Sequence, residues 1–355
     1  MGRVLMHIIL SIGLGFIMQL ILHELGHLFG GLITGWRFLY LQIHRLIIKR
    51  ENKRIRLMII GERGYKCIMY PKSVGQGAKL YTMGGCVINL LSSAAVFLIF
   101  IFVSMSPVMW LYIWSFTCFG LGLFLMNGIA STKRICNDRA CYNLLKADRC
   151  NILCHNAQLI TARHLMNGLT YGEIGEELIC LCPKIADNDI CAYQTVLEYY
   201  YYLDIKNYLK MGQALNKIRT KDNISKYILD IVESELFYVR ILCAIIIKAK
   251  RTGLNRNDVS DEVNKVNTGD SFIKRDRDLY IRDKRITDIH SQRIKAVYGA
   301  YRHFVVGDMD KAVDTLNESI KLLNDSLSVY LGEKKFCIRR LVEVRKIIEA
   351  IYISV

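Results

Sequence analysis

His23-Glu24-Leu25-Gly26-His27 decides how the rest of the chain reads. On a helix, positions i and i+4 share a face, so both imidazoles can reach one metal ion. Glu24 lies beside the same ion, where it can take a proton from a water that the metal has acidified. Two neutral imidazoles suit zinc, which lowers the pKa of its bound water to about 7. The alternative is a pair of polar helix residues facing a pore or a neighbouring helix. The setting argues against it, because residues 4–22 carry no charge and the motif follows without a break. Ionisable groups in an apolar segment are costly in hydrocarbon and functional by default.

Working outward, residues 4–35 predict a first helix, longer than the roughly 20 residues that span a bilayer. Gly26, Gly30 and Gly31 have the small-residue spacing that lets helices approach closely. The apolar run is too long for a signal-peptide core and has no small-x-small cleavage site, so it reads as a retained membrane helix. Residues 38–60 are two apolar, β-branched stretches around a charged turn, which predicts a β-hairpin. Residues 61–79 read as a loop from Gly61, Gly64, Pro71, Gly75 and Gly77. Spans at 80–103 and 108–127 follow, the second opening with Trp110, Tyr112 and Trp114 as in an interfacial belt.

The formal net charge is +16, and its placement says more than its size. Between Arg37 and Lys79 eleven Lys or Arg face only Glu51 and Glu62. Positive charge is thus concentrated beside apolar spans, which fits anionic lipid better than nucleic acid. The same bias puts 37–79 and everything after 131 in the cytoplasm of a multi-pass cell-membrane protein. The twelve cysteines do not suggest a disulfide framework in a chain of this length with a cytosolic bulk. Cys150, Cys154 and His155 make an incomplete metal set and read as buried thiols and a core histidine, as do Cys180 and Cys182 as thiols.

An H-E-x-x-H inside a hydrophobic helix resembles the site-2 protease family of intramembrane zinc metalloproteases, over residues 4–145. The resemblance implies one Zn2+ per chain, held by His23, His27 and a third ligand after the third core helix. That ligand maps to Asp138, with Asp148 in reserve; no proline follows Asn127 and Arg139 stands where the family has glycine. Asp138 could instead cap the next helix with Asn137. In Met83-Gly84-Gly85-Cys86-Val87-Ile88-Asn89, the resemblance gives Asn89 the scissile peptide or the oxyanion, while the residues alone allow an interhelical amide bond. It also places a small sheet at the membrane surface, whose edge could take an extended substrate.

Residues 147–355 predict an all-α soluble domain. Ala300, Phe304, Gly307, Asp308, Ala312 and Leu316 resemble half a tetratricopeptide unit, with an echo from Tyr202 to Ala214. The fold expected is therefore mostly α: a membrane domain (1–146) of three transmembrane helices and a surface hairpin, then a helical-repeat-like domain (147–355). The function expected is a zinc endopeptidase cutting a membrane protein or membrane-inserted peptide, with Glu24 as base and Asn89 orienting substrate. The expected partners are that substrate, the lipid bilayer and a cytosolic protein on the helical tail, with no nucleic acid. The competing readings are a catalytically impaired scaffold or peptide-export accessory derived from such a protease, and a metal transporter, which would need more polar residues along the second and third spans.

Overall fold

A computed structural model describes residues 2–51, 54–131, 136–181, 186–218, 223–251 and 288–354. Cys182 and the helix breaks expected at 253–257 and 267–270 lie outside them. The chain is mostly helical with one two-stranded antiparallel sheet, and it divides into two units, Met1–Ile160 and Thr161–Val355. The division falls later than the expected 146/147 boundary because α5 (Arg149–Met166) begins inside the first unit. Its Asn156 amide donates to the carbonyls of Val74 and Gln76, at 2.8 and 2.7 Å.

In the first unit three helices are long and apolar enough to cross a membrane: α1 (Gly2–Ile33), α2 (Lys79–Phe102) and α3 (Pro107–Gly128). At about 1.5 Å per residue even α3 reaches roughly 33 Å. Ser106 starts α3, its hydroxyl accepting from the Met109 amide with Pro107 in the first turn, where a missing N–H costs nothing. These helices are apolar outside and polar inside. Val4, Ile9, Leu91 and Phe102 point outward, while Ser11, Gln19, Asn89, Ser93 and Thr117 are buried. Polar groups pair across the helices: His7 with the Tyr112 hydroxyl at 3.2 Å, Ser115 donating to Ser11 at 3.2 Å, Gln19 donating to the Phe116 carbonyl at 3.2 Å. On α1 these residues recur every fourth position, with Gly15 completing the row against the backbone of Ser115 and Phe116.

The hairpin is longer than expected. β1 (Arg37–Glu51) pairs with β2 (Arg54–Tyr70), so residues 61–70, read as loop, are strand. Gly61 and Gly64 do not end it, because the strands absorb them in a register shift between His44 and Leu46. His44 takes the left-handed φ of 57° opposite Gly64, and Gln42 spans the irregularity by donating to the His44 and Glu62 carbonyls.

Among the described residues the second unit is all-helical: α6 (Glu176–Ile179), α7 (Asp189–Asp204), α8 (Tyr208–Leu215), α9 (Lys226–Arg251), α10 (Ile289–Val305), α11 (Met309–Asp325) and α12 (Leu331–Ser354). The pairs α7–α8 and α10–α11 turn in the same way. Lys206 and Gly307 hold left-handed φ values of 61° and 86°, and the next residues, Asn207 and Asp308, cap the second helix of each pair. That shared turn is the structural content of the echo read from the sequence.

A charge pair with two hydroxyls anchors the core. Arg293, fully buried, grips Glu235, whose carboxylate also accepts from Tyr199 and Tyr200 at 3.0 and 2.9 Å. The tyrosine run of α7 therefore packs and also solvates a buried carboxylate. Removing one partner leaves a bare buried charge, which costs about 3–5 kcal/mol. Arg293→Met should lower the urea midpoint for proteolysis of the second unit in the detergent-solubilised full chain. Arg293→Met combined with Glu235→Leu should recover part of the loss.

Candidate metal centre

His23 and His27 lie one turn apart on the buried face of α1, with rings 4.9 Å apart and nearly perpendicular. Each is oriented from behind by α2. The Nδ1 of His23 meets the Asn89 side-chain oxygen at 3.1 Å, and that of His27 meets the Tyr81 carbonyl at 2.8 Å. Two oxygen acceptors at Nδ1 assign the protons there and leave both Nε2 lone pairs for the site.

Asp138 supplies the third donor. Asn137 caps α4 (Asp138–Ala147), its side-chain oxygen accepting from the Ala140 amide at 3.1 Å. Its amide donates to the carbonyls of Met126 and Ile129, at 2.8 and 2.7 Å, so the start of α4 is tied to the end of α3. The cap expected of Asp138 thus belongs to Asn137, and Asp138 is free to point inward. Asp148 is at the junction of α4 and α5, holding the Cys150 amide, away from the cluster.

Spacing tests whether these donors fit a metal. A tetrahedral ion with bonds of about 2.0–2.1 Å holds its donor atoms roughly 3.3–3.4 Å apart. The two Nε2 atoms are 3.3 Å apart, and Asp138 Oδ2 is 3.1 Å from His23 and 3.5 Å from His27. Three lone-pair atoms this close need a cation or protons between them. Gly85 makes the room, since a Cβ there would strike both imidazoles. The residues fit a zinc ion with three protein ligands.

Glu24 lines the same cavity, of about 510 Å³, near the Cys67 backbone of β2. The walls also include Tyr65, Lys66, Cys67, Tyr81, Asn127 and His155. Burial, then the nearby Glu24, pushes the Cys67 thiol up to about 12, and burial pushes His155 down to about 4. Both are neutral at pH 7, so Cys67 is not a thiolate and His155 carries no charge. Asn89 does not line this cavity. Its amide is spent on α1, with Oδ1 at His23 and Nδ2 donating to the Gln19 carbonyl at 3.4 Å. It is placed to orient a ligand rather than to touch substrate, the interhelical alternative of the two read from its sequence.

Sequence reasoning missed Tyr81, Cys67 and His155. Nothing in their spacing marks them, because each reaches the site from a separate element. The purified chain is expected to hold about one zinc, and His23→Ala and Asp138→Ala to lose it, by elemental analysis. Asn89→Ala should keep the ligands but weaken zinc about 10–100-fold in a chelator competition, the usual loss when a ligand's outer hydrogen bond is removed. Comparison with protein-family models, curated proteins and solved structures finds no match to this chain.

Proposed function

We propose that this chain is an intramembrane zinc metalloendopeptidase of the site-2 protease type. One observation carries the reading. Two histidines of α1 and an aspartate of α4 meet at tetrahedral spacing, with Glu24 in the same cavity, and α1 packs on two further helices apolar enough to cross a bilayer. Outward leucines and inward glutamine, serine and asparagine are what a hydrocarbon solvent favours and water does not.

Zinc bound there would supply the Lewis acidity that makes water nucleophilic near neutral pH. Glu24 takes a proton from the attacking water as its oxygen adds to the scissile carbonyl carbon. It then hands that proton to the leaving amine nitrogen as the C–N bond breaks. His23 and His27 are held in one tautomer by Asn89 and Tyr81, so neither is diverted into proton transfer. The substrate enters as an extended strand of a membrane protein or inserted peptide, because a helix conceals its carbonyls. Tyr65, Lys66 and Cys67 of β2 form a wall of the cavity where such a strand would lie.

The basic hairpin and the basic residues after α3 support a site toward the cytosolic leaflet, against anionic lipid. The second unit, with its two like-turned, tetratricopeptide-like helix pairs, would then be cytosolic and offer a surface to a protein partner. The departures at Arg139 and after Asn127 leave Asp138 at bonding distance from both imidazoles, which favours an enzyme over an impaired scaffold.

Glu24→Gln separates chemistry from assembly. It should keep about one zinc per chain while cutting β-casein, used as an unfolded probe in detergent, about 10²–10⁴-fold more slowly than wild type. A zinc-replete wild type that leaves β-casein and reconstituted single-span peptides intact would move the assignment to the scaffold reading.

A further inference from the structure

β1 covers one edge of β2, pairing Leu41 with Cys67 and Ile43 with Tyr65. In a strand, alternate residues turn both N–H and C=O to the same edge. The Cys67 carbonyl accepts from the Tyr81 hydroxyl at 2.9 Å. That carbonyl points away from β1, so Tyr65, Cys67 and Met69 face the uncovered edge. The Met69 amide lies near the same hydroxyl. That one hydroxyl therefore sits on Cys67 where a residue of a third strand would pair.

The same residue grips the metal centre. Its carbonyl holds His27 Nδ1, and its ring stacks on Trp36 at 4.6 Å and 23°. Tyr81 has lost nearly all its exposure, at 8%. An open strand edge pairs with any extended segment that reaches it, so closing it fixes where pairing stops. Tyr65 is the next outward position on that edge and lines the cavity.

We propose that Tyr81 is a positioning residue whose hydroxyl closes the free edge of β2 at Cys67 and sets the register of an extended peptide against the histidine pair. The closure stands on that hydrogen bond alone. The register rests on the protease reading. With the edge closed, a substrate strand pairs at Tyr65 and no further, so the scissile bond falls at one distance from that residue. With the hydroxyl gone, pairing can advance to the next outward position, two residues on.

Tyr81→Phe tests this, because it keeps the ring, the Trp36 stack and the carbonyl on His27. Hydrogen exchange of the detergent-solubilised full chain should be about tenfold faster in the peptide spanning 65–70, with the α1 and α2 peptides and the zinc content unchanged. β-Casein cut sites should move by about two residues. Exchange at 65–70 equal to wild type would overturn the closure. Faster exchange with unmoved cut sites would overturn the register. Absence of zinc and of cleavage in the wild type would sink the protease reading, and the exchange comparison would still decide the edge.

Discussion

The backbones of α1 and α2 touch, and the metal centre depends on that contact. A Cβ on Gly26 would run into the Gly84 carbonyl, one on Gly84 into Gly26, and one on Gly30 into the Leu80 carbonyl. Only hydrogen atoms separate the helices at this crossing. At the ordinary helix spacing of about 8–10 Å, the Asn89 amide and the Tyr81 carbonyl could not both reach the backs of the two imidazoles. Close approach thus does what a packing residue could not, fixing both tautomers and aiming both Nε2 atoms at Asp138.

The remaining parts of the first unit supply what two helices cannot. α3 and α4 deliver Asp138 through Asn137, whose amide binds carbonyls at the end of α3 while its oxygen starts α4. The hairpin closes the remaining side, with its Cys67 backbone beside Glu24. The Cys67 carbonyl and His27 are joined through Tyr81, so displacement of β2 would be felt at His27.

The second unit solves a different problem with related means. It buries Arg293, Glu235, Arg340 and Asp204. The Arg293–Glu235 pair is supported by two tyrosine hydroxyls and by the Tyr238 ring 4.2 Å from the guanidinium. A buried ion pair adds little net stability over apolar packing, but this one ties α7, α9 and α10 together. That is a reason for the charged core in a domain built from otherwise similar helix pairs.

Much of the first unit is legible in the sequence by itself. Helix limits of 4–35, 80–103 and 108–127 against Gly2–Ile33, Lys79–Phe102 and Pro107–Gly128 follow from hydrophobic length, a property each segment carries alone. The pair His23 and His27 is a local fact of helical period. Asp138 comes from family resemblance, and the structure brings it to bonding distance of both histidines. The extension of β2 through Gly61 and Gly64 is invisible in the sequence, because glycine signals a turn locally and only the pairing with β1 turns it into a bulge. The placing of Asn89 behind His23 and the dual grip of Tyr81 are equally hidden. Each depends on which atoms of different segments meet once α1 and α2 are pressed together, and a linear pattern records spacing along the chain, not approach across it.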